Sequence, residues 1–123
     1  MKTLVTIGGV FALAFFVFHV FFWKLFDWNE DLKKVSQINK GVMQVLNLCL
    51  MVVFLIFGYV SIFHADEMLA TGLGNALLGG IAALWFLRAI QQIIFFGLKS
   101  GLSITFFAIF LLGSALYMVP LMA

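Results

Sequence analysis

Apolar residues run along this chain in four long blocks, over 3–23, 42–63, 72–97 and 102–122, and most polar residues collect in the stretches between them. At about 1.5 Å of rise per residue, each block is long enough as a helix to cross the ~30 Å hydrocarbon core of a bilayer. The stretches at 64–71 and 98–101 are short, so neighbouring helices run antiparallel. The pattern predicts an all-α, up-down four-helix bundle of membrane spans that occupies 1–123 as one domain.

The first connection reads KLFDWNEDLKKVSQINKG and has a pattern of its own. Leu25, Trp28, Leu32, Val35 and Ile38 recur at three- and four-residue steps, the period of an amphipathic helix. Asp27 with Glu30 three positions later has the form of a capping box. Glu30 and Lys34 have the spacing of a helical ion pair. A short interfacial helix over 27–38 is therefore predicted, apolar face toward the membrane, with docking of a partner as its functional alternative.

Within the spans, small and polar residues mark the faces expected to turn inward, because lipid already solvates apolar side chains. Four stripes emerge. They are Gly8, Ala12, Phe15 and His19; then Gln44, Asn47, Met51, Phe54, Gly58 and Ser61; then Gly72, Ala76 and Gly80; then Ser103, Phe106, Phe110, Gly113, Tyr117 and Pro120. Tyr59, His64, Asn75 and Tyr117 are polar-tipped residues expected to act as anchors near the opposite surface.

Composition makes the bilayer the solvent. The chain is 65% hydrophobic and 10% charged, against roughly 25% charged in soluble domains. The first apolar block runs about twenty residues to Trp23, beyond the ~7–15 of a signal-peptide core, and no small-x-small site follows it. It is read as a retained span. A single cysteine, Cys49, allows neither an internal disulfide nor a Cys-x-x-Cys metal site, and apolar burial would leave it inert. A net charge of +2 without a basic, aromatic-interleaved surface gives no nucleic-acid partner.

Lysine distribution predicts orientation. Lys24, Lys33, Lys34 and Lys40 fall in the first connection and Lys99 in the third, whereas the opposite side carries Lys2, Asp66 and Glu67. Both termini are thus expected on the non-cytoplasmic side, in a bacterial inner membrane. The same bias argues against dual-topology insertion.

One residue resists this scheme. Arg88 stands in WFLRAIQQIIFF, inside the third apolar block, with no wet helix face to occupy. An arginine near mid-bilayer costs ~2.5–3.5 kcal/mol on insertion scales, less when its stem snorkels. Topology puts His19, Gln44, Asn47, Gln91 and Gln92 at its depth, together with Ser103 and Thr105. No span carries an Asp or Glu. The available partners are neutral acceptors (Asn47, Gln44, backbone carbonyls), the carboxylates of Asp27, Glu30 or Asp31, or an oxygen from another molecule. Arginine suits the last, because its planar fork binds phosphate or carboxylate bidentately. The plain alternative is that it only snorkels.

His19 beside Arg88 is either a hydrogen-bonded structural residue or a proton carrier. A haem held by two histidines within one chain is disfavoured, because His64 ends its span ~30 Å away. No cofactor is predicted, and a metal held by two histidines and carboxylates fails for the same reason. Asp66 and Glu67, adjacent on a solvated turn, do not converge as an acid/base pair.

No spacing singles out a nucleophile with a base, so an enzyme is not the expectation. The expected function is an accessory or interaction subunit of a membrane assembly, partnered by lipid and by a second copy or another subunit. The alternative is a binding or transport module for an anionic or amphiphilic small molecule, a lipid head group or quinone. In that case the ligand- or partner-binding residues are Arg88, His19, Gln44, Asn47, Gln91 and Gln92. A cation/proton antiporter is disfavoured for want of a membrane carboxylate.

Overall fold

A computed structural model describes residues 1–123. The long helices are α1 (Lys2–Val20), α4 (Gln37–Phe63), α6 (Gly72–Phe96) and α7 (Gly101–Met122). Between them lie α2 (Phe22–Leu25), α3 (Trp28–Asp31), a 3-10 turn over Leu32–Lys34, and α5 (Ala65–Ala70). The 4 long helices are each apolar and long enough to cross a membrane. They form the up-down bundle that the blocks predict, with ends within one residue except that α1 stops at Val20, three residues before position 23, and α4 starts five residues before position 42.

Local chemistry sets several of these ends. Ser36 Oγ accepts from Asn39 N, Thr71 Oγ1 from Gly74 N and Ser100 Oγ from Ser103 N, so three long helices carry side-chain N-caps. Gly97, at φ 72°, lets the chain leave α6 where a side chain would be strained.

The helices assemble as two pairs, α1 with α4 and α6 with α7, joined where α1 touches α7. In the first pair the backbones nearly meet. A Cβ on Gly9 would lie 3.1 Å from the Gly58 carbonyl oxygen, and one on Gly58 would lie 3.3 Å from that of Gly9. In the second pair Ser114 Oγ donates to the Ala82 carbonyl at 2.9 Å. Such close backbone approach and interhelical hydrogen bonding hold helices together in lipid. By contrast, α4 and α6 barely approach as backbones and meet through Phe54 stacked on Trp85, ring centres 5.4 Å apart.

Three of the four predicted stripes face inward in whole or in part. The third does not: Gly72, Ala76 and Gly80 lie exposed, and α6 buries Gly74, Leu78, Ile81, Ala82, Trp85, Ala89 and Gln92 instead. The reason is the side on which α7 packs. α6 meets α7 at Ala82, whose carbonyl Ser114 reaches, and with Trp85, which lies near Gly113, and that face is turned away from Gly72, Ala76 and Gly80. Tyr117 is also no interfacial anchor. It is 0% exposed, with its hydroxyl 2.8 Å from Ser61 Oγ and its ring against Gly8. Cys49 is exposed on the outer face of the bundle rather than buried.

The first connection is helical but broken. Asp27 adopts a left-handed conformation (φ 51°) and makes no side-chain cap, and Val35 is extended, so 27–38 folds as successive short turns rather than one helix. Trp28 and Leu32 are buried, while Leu25 and Ile38 of the predicted apolar face are 58% and 79% exposed. The ion pairs run Lys33–Glu30 and Lys34–Asp31 at 3.3 and 3.5 Å; Glu30 and Lys34 do not pair.

Candidate functional site

Near its last turns α6 carries Arg88, whose Cζ lies 4.5 Å from the centre of the Phe110 ring and 5.8 Å from that of Phe96. Phe96 lies two turns further along the same helix, about 12 Å of axis. The stem therefore runs toward the end of α6 that meets the first connection, as expected of a snorkelling arginine. The chain's ion pairs join Lys2 to Asp66, Lys33 to Glu30, Lys34 to Asp31 and His64 to Glu67; Arg88 is in none of them. It donates no hydrogen bond either, so it engages neither the neutral acceptors nor the first-connection carboxylates open to it. Its partners are aromatic faces, a favourable but modest attraction of ~0.5–2 kcal/mol.

Two cavities meet at Arg88. The first, of about 640 Å³, opens between α4 and α6, where those helices stay apart, and reaches His19, Leu50, Phe54, Leu84, Trp85 and Gln91. The second, of about 670 Å³, lies beneath the first connection against α6 and α7, reaching Trp28, Asp31, Gln92, Ser100 and Ser103. Phe18, Phe22, Arg88 and Phe110 line both. Either volume falls in the ~300–1,000 Å³ range of small-molecule sites, with the mostly apolar walls and few polar groups typical of them.

The residues singled out from the sequence separate around this wall. His19 is buried, with its ring stacked on Phe22 at 4.2 Å. Its Nδ1 lies 2.8 Å from the Phe15 carbonyl, which can only accept, so Nδ1 carries the hydrogen and Nε2 is left without a partner. Gln91 shares the first cavity with His19 and Arg88. Gln92 belongs to the second, where its Nε2 donates to Ser103 Oγ at 2.8 Å and Ser103 Oγ in turn donates to the Gly97 carbonyl. Asn47 lies behind His19, donating to the His19 carbonyl at 3.3 Å, with its own Oδ1 buried and unpartnered. Gln44 lines neither cavity and makes no side-chain hydrogen bond. The shared depth thus resolves into Arg88 with His19 and Gln91 on one side, Gln92 on the other, and Asn47 and Gln44 outside.

Sequence reasoning missed the aromatic frame. Phe15, Phe18, Phe22, Phe54, Trp85 and Phe110 all line the first cavity, and Trp85 is held between Phe54 and Phe110 at interplanar angles of 11° and 15°. Two signals were present: aromatics at 15, 18, 22 and 26 follow helical spacing, and Trp85 sits inside a span rather than in an interfacial belt. The Trp85 indole N–H is buried without an acceptor.

At the opposite end, His64 lies 3.2 Å from Glu67 and 3.4 Å from the Tyr59 hydroxyl, all on the surface. No three of the His, Cys, Asp and Glu side chains converge anywhere. The chemistry on offer around Arg88 is recognition of an electron-rich oxygen on an otherwise apolar molecule. No protein-family model matches the chain, and neither a curated protein nor a solved structure is detectably similar to it.

Proposed function

We propose that this chain is an integral membrane protein that binds an amphiphile from the bilayer, holding its phosphate, carboxylate or carbonyl oxygen at Arg88. The observation that carries this reading is a guanidinium with no acceptor of its own, in the wall between two cavities. An arginine kept at a cost in the membrane without an acceptor or counter-charge in the protein marks a functional site by default. His19 and Gln91 flank the head group, and the ring walls take the apolar body. Lysine placement supports an orientation with the first connection cytoplasmic and both termini outside, in a bacterial inner membrane.

The test is native mass spectrometry of the full chain released from its own membrane, beside Arg88→Gln. A molecule retained by the wild type and lost from the variant is the expected result. Identical retained molecules, with unchanged oligomeric state and thermal stability, would reduce Arg88 to a snorkelling residue.

A second reading, the accessory subunit, draws on the exposed face of Gly72, Ala76 and Gly80 on α6. Small residues at four-residue spacing are what a close-packed helix partner uses in lipid. That reading expects a second polypeptide or a second copy at fixed stoichiometry in the same spectrum.

A further inference from the structure

We infer that the occupant of the Arg88 site is a zwitterionic phospholipid, with its phosphodiester at Arg88 and its ammonium group toward Asp31. This rests on the reading of Arg88 as a head-group anchor. Most polar residues of the second cavity are already engaged. Gln92 donates to Ser103, Ser103 donates to the Gly97 carbonyl, and Ser100 Oγ accepts from Ser103 N. Two charged groups are left to meet a ligand there, Arg88 and Asp31. The one bond of the Asp31 carboxylate is to Lys34 at 3.5 Å, with both side chains mostly exposed. Pairs of that kind are worth up to about 1 kcal/mol, so a ligand ammonium can take the place of Lys34.

The order of these features matches the order of groups in such a lipid. Tails come first, then phosphate, then ammonium. The first cavity, walled by Leu50, Phe54, Leu84 and Leu87, opens between α4 and α6 and accepts a tail. Arg88 lines both cavities, and its stem points toward the end of α6, the end from which a lipid head group would enter. Asp31, on the connection itself, lines only the second cavity. The rings of Phe22, Phe26 and Trp28 in the same cavity suit an ammonium whether primary or quaternary. An anionic lipid with a glycerol head group would fill the same space and leave Asp31 facing no cation but Lys34.

The experiment uses the full chain in detergent, given equal amounts of phosphatidylethanolamine, phosphatidylcholine and phosphatidylglycerol with identical acyl chains, and read by native mass spectrometry. The wild type should retain the two zwitterionic lipids about fivefold over phosphatidylglycerol, and Asp31→Asn should bring the three close to equality. The split between ethanolamine and choline identifies which ammonium is preferred. If phosphatidylglycerol is retained as well as the others by the wild type and lost from Arg88→Gln, the zwitterion inference fails and the anchor stands. If Arg88→Gln retains all three lipids as the wild type does, the anchor fails and takes this inference with it. Arg88→Lys, which keeps the charge but not the fork, should retain part of the binding and guards against misreading a folding defect.

Discussion

The two ends of this bundle are built on opposite plans. At the end near the second connection, backbones touch and polar groups are matched within the protein. Gly9 lies against Gly58, Tyr117 fills the space over Gly8, and its hydroxyl meets Ser61. At the end near the first connection, helices are held apart by rings, cavities open, and Arg88, Asn47 Oδ1 and His19 Nε2 lack hydrogen-bond partners in the protein. The first plan gives a membrane bundle its cohesion, since close packing is what lipid cannot replace. The second leaves room and unmet hydrogen-bonding capacity for something else. Close packing and unfilled space therefore lie at different depths of the same four helices.

The contrast can be broken by substitution, and the largest effect belongs to the closed end. Tyr117→Ala empties a wholly buried site and strands Ser61, and should lower unfolding stability in detergent by about 3 kcal/mol. Gly9→Val puts side-chain atoms against the Gly58 backbone and should cost about 2 kcal/mol, seen as a lower melting temperature. Ser61→Ala removes only the hydrogen bond to Tyr117, for a loss of about 1 kcal/mol in the same assay. Arg88→Gln, at the open end, should change stability by less than ~1 kcal/mol while abolishing lipid retention, because Arg88 makes no hydrogen bond that folding depends on. Smallest of all, Lys2→Ala breaks an exposed pair with Asp66 at 3.1 Å and should shift stability by ~0.5 kcal/mol or less, vanishing in high salt. A ranking in which Arg88→Gln unfolds the protein and Tyr117→Ala does not would reverse the assignment of the two ends.

Much of the closed end is legible in the sequence. Gly8, Gly58, Ser61, Gly113 and Tyr117 recur at three- and four-residue steps in helices that hydropathy alone delimits. The ridge of Gly72, Ala76 and Gly80 misleads for a physical reason. Small residues identify a face that can pack closely, but α6 also carries Gly74, Ala82 and Ala89 on another face, and that is the one it buries. At the open end, topology alone brings Arg88, His19 and Gln91 to one depth. It does not give helix rotation about the long axis, which decides that Gln92 and Gln91 enter different cavities and that Gln44 enters neither. The aromatic walls escape sequence reading because phenylalanine is equally at home against lipid. The broken first connection escapes because Asp27 takes up a left-handed backbone where its spacing suggests a cap.

The unequal lengths of α1 and α4 have a consequence for the membrane itself. α4 has 27 residues and its antiparallel neighbour α1 has 19, a difference of about 12 Å along the axis. The two are level at Gly9 and Gly58, so the surplus of α4 lies wholly at the first-connection end. A bilayer matched to α1 leaves the start of α4 standing above the hydrocarbon, with the connection draped beside it. A thicker bilayer draws that stretch in and stretches or tilts the pair, at a cost of fractions of a kcal/mol per ångström. The roof of the second cavity, Trp28 to Val35, runs straight into that overhang at Gln37, so a bilayer that moved the start of α4 would pull on the chain above Arg88.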